Sequence, residues 1–301
     1  MPVSVAYLLV ILIWATTPLG IVWSSESMEP TFALLTRMVI GLVLGLMFMR
    51  IFNIEFDKRR AAIKVYLYSG ITLAVGMLLT YFSARHISSG LMSLCFGLTP
   101  ILAGWFAQKI IAEAKFTGLK KVALTVALCG LALASLDNID MGMSSILGFV
   151  LVLGSVTIFS LSGVLIKSVG VELHPLSTTV GSLIVSLPFF IVAWLLSTGG
   201  IIQYENWQPK AIYAAVYLGV FASLIGYLAY FYVLKKLPVT TVGLIVMVTP
   251  IIANILGVLV NGEHFSTSLL LGGTLVVAGL SIFQFGHRIK WASSKPKSRA
   301  V

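Results

Sequence analysis

Residues 80–113 read TYFSARHISSGLMSLCFGLTPILAGWFAQKIIAE, and residues 230–263 read YFYVLKKLPVTTVGLIVMVTPIIANILGVLVNGE. The second stretch follows the first by 150 positions and aligns with it without a gap. Identities fall at Leu94/Leu244, Thr99/Thr249, Pro100/Pro250, Ile101/Ile251, Ala103/Ala253 and Glu113/Glu263. Arg85 meets Lys235, and His86 meets Lys236. The Thr-Pro-Ile-x-Ala core and its flanking charges separate this match from the likeness of any two apolar helices. An internal repeat fixes architecture before any local assignment, and here it implies two homologous halves of about 150 residues.

Composition places both halves in a membrane. The chain has 301 residues, of which 58% are hydrophobic and 10% charged, and its mean hydropathy is +1.03. A soluble domain carries roughly 25% charged residues, so this chain lacks a water-compatible surface. The net charge of +10 raises nucleic-acid binding, but the basic residues lie in short connectors between apolar runs, where membrane topology explains them. Cys95 and Cys129 sit inside apolar runs and imply no disulfide framework. The first apolar run has no basic leader and no small-residue cleavage site, so it reads as a retained helix.

About 20 apolar residues cross a ~30 Å hydrocarbon core as a helix. Ten such runs are present, at 4–23, 30–52, 64–84, 88–109, 117–136, 145–167, 175–198, 210–234, 239–260 and 267–287. Connectors on the side of the termini hold seventeen Lys and Arg residues, against only Arg85 and Lys210 on the other side. Basic loops stay cytoplasmic, so both termini are expected there. Ten helices in two equal halves give five per half, and an odd number sends the second half into the membrane from the opposite face. The expected fold is an all-α membrane protein of ten transmembrane helices in two inverted five-helix repeats. Secondary transporters use that plan, with the substrate near the midplane.

These features, with Thr-Pro inside the fourth and ninth helices and a basic tail, resemble the drug/metabolite transporter superfamily and its EamA-type branch. The resemblance implies a first repeat over 1–140, a second over 141–287 and a cytoplasmic tail over 288–301. It also implies a bacterial inner-membrane secondary transporter that exports amino acids or related metabolites by alternating access. Import or exchange of a vitamin, sugar or nucleotide derivative is the alternative that the resemblance leaves open.

Three helices carry Thr-Pro: Thr17-Pro18, Thr99-Pro100 and Thr249-Pro250. A mid-helix proline frees the carbonyl four residues earlier, here that of Trp14, Phe96 or Val246. In lipid such carbonyls need an internal partner or a wet cavity. Pro18, Pro100 and Pro250 therefore read either as gate hinges on the substrate path or as static kinks. Arg37 is the one charge well inside a predicted span. Intramembrane charges face a cavity or a partner, so Arg37 either binds a carboxylate or snorkels toward Glu26 or Glu29.

The expected cavity wall combines Trp14, Thr17, Arg37, Thr80, Phe96, Thr99, Ser160, Tyr227, Tyr230, Met247, Thr249 and Asn254. Ser155, Ser162, Ser223 and Gly226, and the stripe Thr72, Gly76, Thr80 and Ser83 on the third helix, accompany it. A mixed aromatic and polar wall suits a small amphipathic metabolite; close helix packing is the other reading of the small residues. Gly272, Gly273 and Gly279 present a close-packing face, either within the chain or toward a homodimer partner.

No Asp or Glu lies near midspan. His86, His174, His264 and His287 all fall at helix ends without metal-ligand spacing. No cofactor, metal or nucleic-acid partner is expected; the partners are a small-molecule substrate and the lipid bilayer. An intramembrane enzyme would need a nucleophile–base pair or a metal cluster, and the spans offer none. A passive channel or a sensor without transport remains the rival of another class.

Overall fold

The computed structural model describes residues 2–113, 115–139, 143–202, 204–237, 239–262 and 266–286. Helices follow the apolar runs: α1 (Val3–Ser27), α2 (Pro30–Ile51), α3 (Arg60–Ser83), α4 (Ser89–Ile110), α5 (Gly118–Ile139), α6 (Met143–Val169), α7 (Pro175–Thr198), α8 (209–236), α9 (Val239–Asn261) and α10 (Thr267–Phe285). Among the described residues, eight helices are long and apolar enough to cross a membrane, α5 and α9 standing outside that count. Leu196 is 83% exposed and Leu259 77%, an outer surface that water would not tolerate.

Local chemistry sets where the helices begin and end. Glu29 caps α2 by accepting from Phe32 N, with Pro30 in the first turn. His174 caps α7 through Leu176 N, with Pro175 in the same place. Ser88 and Ser266 accept from Leu91 N and Leu269 N at the starts of α4 and α10. Such caps satisfy backbone donors that a helix start leaves orphaned. Gly199, at φ 64°, closes α7 in the left-handed region that glycine enters freely.

The helix pairings are the same when the two halves are exchanged. α1 packs on α9 as α6 packs on α4; α3 packs on α7 as α8 packs on α2; α3 packs on α6 as α8 packs on α1. The pairs α5–α10, α2–α7 and α4–α9 each map onto themselves. The α5–α10 seam shows this at atomic level. A Cβ added to Gly130 would stand 2.6 Å from Val276 N and 2.7 Å from Gly272 O. One added to Gly279 would stand 2.6 Å from Ala127 N and 2.8 Å from Ala123 O. Shifting by 149 positions carries each set of partners onto the other, and the two helices run antiparallel. The glycine face read from the sequence is thus an intramolecular seam, except Gly273, which faces Leu94 on α4.

The Thr-Pro helices differ from one another. α1 and α9 continue through Pro18 and Pro250. α4 instead breaks into two rods, Ser89–Phe96 and Thr99–Ile110, around Gly97 and Leu98. Pro100 therefore starts a helix rather than kinking one, where its missing N–H costs little. The expected orphan at Phe96 is also filled, because Thr99 Oγ1 donates to its carbonyl at 2.6 Å.

Candidate functional site

Arg37 sits on α2, seven residues after Pro30, and is 1% exposed. It does not reach outward. Glu26 is held by Lys210 at 3.0 Å, and Glu29 is engaged by Phe32 N and the Thr31 hydroxyl. Arg37 Nε donates to Ser223 Oγ at 2.8 Å. Its Nη1 is buried without a hydrogen-bond partner. Among the described residues no carboxylate lies within ion-pairing distance of it. An intramembrane arginine costs about 2.5–3.5 kcal/mol on insertion scales, so an unused donor there calls for a reason.

Ser223 is presented by an unusual backbone. α8 is an α-helix over Pro209–Tyr217, a π-helix over Leu218–Gly226 and an α-helix again over Tyr227–Lys236. Wide i→i+5 turns are rare and recur at functional sites. This one lies against α2, where Gly219 meets Ile40 and the Arg37 carbonyl, and Gly41 meets Ser223. Tyr227, one turn beyond Ser223, packs against Phe231 with ring centroids 6.4 Å apart. Tyr230 packs on Trp14 of α1 with ring centroids 4.8 Å apart and planes tilted by 35°, and Trp14 Nε1 borders Gly226. Arg37, Trp14, Tyr227 and Tyr230 therefore gather where α1, α2 and α8 meet.

The other expected wall residues form further groups. Thr17 donates to Ile13 O at 2.6 Å within its own helix. At the α4 break, Phe96 faces Phe159 of α6 with centroids 6.0 Å apart. Ser160 donates to Val156 O at 2.6 Å and to Thr99 O at 3.3 Å. Asn254 of α9 donates to Pro250 O at 2.8 Å and presses its amide oxygen on Gly90 of α4, leaving that oxygen buried and unbonded. Thr249 and Pro250 are buried on the same helix. The side chain of Met247 lies outside the described residues, as do Glu263, His264 and His287.

Thr80 stands apart from these groups, in a hydroxyl seam joining α3 to α6 and α7. Its hydroxyl bonds Ser155 at 2.7 Å and Gly76 O at 2.9 Å. Thr72 meets Ser162 at 2.6 Å, and Ser83 meets Gly148 O at 2.8 Å. The seam continues through Ser69–Ser182 at 2.5 Å and Tyr66–Ser177 at 2.7 Å. Sequence reading did not find Phe159 or the π segment. Gly219 and Gly226, close to its two ends, were the available signal.

The EamA-like transporter family profile matches twice, over residues 2–136 and 146–284. The chain belongs to that family. Among its relatives, the uncharacterized transporter YdfC of Bacillus subtilis is 26% identical over 281 residues, covering 92% of this chain and 89% of its own length. The Salmonella typhimurium protein PagO is 24% identical over 284 residues, covering 91% and 90%. Another uncharacterized transporter of B. subtilis, YvbV, is 26% identical over 226 residues, covering 72% and 70%. A solved crystal structure matches the fold with a TM-score of 0.69 at 15% identity, covering 95% of this chain and 97% of that one. The chain is thus a multi-pass membrane protein of a transporter family.

Proposed function

We propose that the protein is a secondary transporter with ten membrane crossings in two inverted five-helix repeats. It moves an amino acid or related small metabolite outward across a bacterial inner membrane by alternating access. The observation that carries this reading is the α5–α10 seam, where equivalent helices run antiparallel and exchange glycine contacts across a local two-fold. An axis in the membrane plane produces that relation. Equivalent helices also differ in form: α4 is broken near Pro100, while α9 runs on through Pro250. One sequence plan in two conformations is what a carrier open to one side requires, and exchanging the two conformations opens the other side.

In this reading Pro18, Pro100 and Pro250 lie at the moving joints, and the groups around Arg37, Phe96 and Asn254 line the path. The basic connectors orient both termini to the cytoplasm. The protein is a carrier rather than an enzyme.

The test is counterflow in proteoliposomes with radiolabelled amino acids, with and without an imposed pH gradient. Saturable uptake driven by unlabelled amino acid inside the vesicles is expected. Flux that rises linearly with concentration and shows no counterflow would make the protein a channel and sink the carrier reading.

A further inference from the structure

We infer that Arg37 is the carboxylate-binding residue of the transport path, and that a small organic carboxylate supplies the counter-charge the protein omits. This rests on the transport reading above. A guanidinium presents five N–H donors in a planar fork matched to a carboxylate. The fold uses Nε, on Ser223, and leaves Nη1 buried without a partner. Structural arginines inside membranes pair with carboxylates or backbone carbonyls. Here the two glutamates at the N-terminal end of α2 are already engaged, Glu26 at the end of α1 with Lys210 and Glu29 before α2 with the start of α2.

The second half of the molecule supplies an internal control. Aligning α2 with α7 on their first-turn prolines, Pro30 and Pro175, sets Arg37 beside Ser182. Ser182 bonds Ser69 of α3 at 2.5 Å. Arg37 bonds Ser223 of α8 across the equivalent helix pair. Gly70 meets Ser182 O and Val185 as Gly219 meets the Arg37 carbonyl and Ile40, so the same backbone approach forms in the second half with a serine in place of the arginine. The charge and the spare donors of Arg37 are surplus to the fold, and a buried surplus charge survives where a ligand completes it. The Trp14–Tyr230 pair, with Trp14 Nε1 beside Gly226 less than one turn after Ser223, offers an aromatic wall for the rest of such a ligand.

The test is ligand-dependent melting of the purified protein in detergent. The probes are amino acids, pyruvate and lactate at millimolar concentration, each beside its amide. A carboxylate-specific rise in melting temperature is expected for the wild type. Arg37→Gln, which can still donate to Ser223, is expected to melt no lower than wild type without ligand and to lose the rise. Arg37→Lys keeps the charge without the fork and gives a smaller rise; it serves as the test variant if the glutamine protein does not fold. Equal shifts for acids and amides, shifts that survive Arg37→Gln, or no shift with any carboxylate would each overturn the inference. Carboxylate-specific melting without counterflow in liposomes would instead refute the transport reading and leave the binding site standing.

Discussion

Gly279→Ala tests the seam on which the architecture rests. The added Cβ would lie 2.6 Å from Ala127 N and 2.8 Å from Ala123 O, whereas ordinary contact begins near 3.4 Å. Both obstacles are backbone, so no rotamer change relieves them, and α5 and α10 must separate by about 0.8 Å, the difference between 3.4 and 2.6 Å. Overpacking of this kind costs ~1–3 kcal/mol. Alanine also improves helix propensity by about 1 kcal/mol, which partly hides the cost. Gly163 on α6 removes that ambiguity, because a Cβ there meets nothing within 4 Å. The difference between Gly279→Ala and Gly163→Ala cancels propensity and leaves about 1–3 kcal/mol. Thermal unfolding of both proteins in one detergent reads it. Gly130→Ala, the symmetry mate, should match Gly279→Ala. The double variant should cost less than the two together, since one opening of the seam serves both. A Gly279→Ala protein as stable as Gly163→Ala would refute the seam.

The remaining expectations are smaller. Pro250→Ala restores a backbone donor inside a continuous helix and should stabilise by up to ~3 kcal/mol; Pro100→Ala, at a helix start, should leave the melting temperature nearly unchanged while slowing counterflow more than binding. Wild-type turnover in Pro100→Ala would mean that the α4 break is static. Thr80→Val crossed with Ser155→Ala in a double-mutant cycle should give a coupling of about 0.6 kcal/mol, the average for membrane hydrogen bonds, and zero coupling would remove Thr80 from the hydroxyl seam. Hydrogen bonds from Arg59 hold the Asp57 carboxyl below the ordinary carboxylate range. The folded value lies under the unfolded one, so this stabilisation is present above the unfolded value and is lost as pH falls through the folded one. Asp57→Asn should therefore differ from wild type at neutral pH and converge with it in strong acid; a constant difference would rule the linkage out.

The sequence made some of this legible and hid the rest for physical reasons. Helix positions and the two halves followed from apolar run length and from the 150-residue repeat, because both are read from residue order without knowing which helices touch. The three Thr-Pro pairs look alike in sequence, yet their outcomes depend on a neighbour: α4 has Gly97 three residues before Pro100, where α9 has Met247. Glycine there admits a close approach of the Leu94 carbonyl, 2.9 Å from where a Cβ would stand. The periodicity of Thr72, Thr80 and Ser83 marked a polar face on α3 but not what that face meets, and α6 is what it meets. The partner of Arg37 lies 186 residues away, beyond any local pattern. The glycines of α10 announced close packing, and the fold shows that Gly272 and Gly279 pack on α5.

The π segment of α8 also acts as a phase shifter. An α-helix turns about 100° per residue, and wider turns advance less, so the nine residues Leu218–Gly226 set the azimuth of everything that follows. α3, the counterpart of α8, carries no such delay over Arg60–Ser83. Rewinding Leu218–Gly226 to ordinary pitch would swing Tyr227 and Tyr230 around the helix axis and draw Ser223 away from Arg37. Each backbone donor would exchange one carbonyl for its neighbour, and none would be stranded in lipid. The stretch is a splice in the helix shaft, and it sets how the end beyond it is aimed.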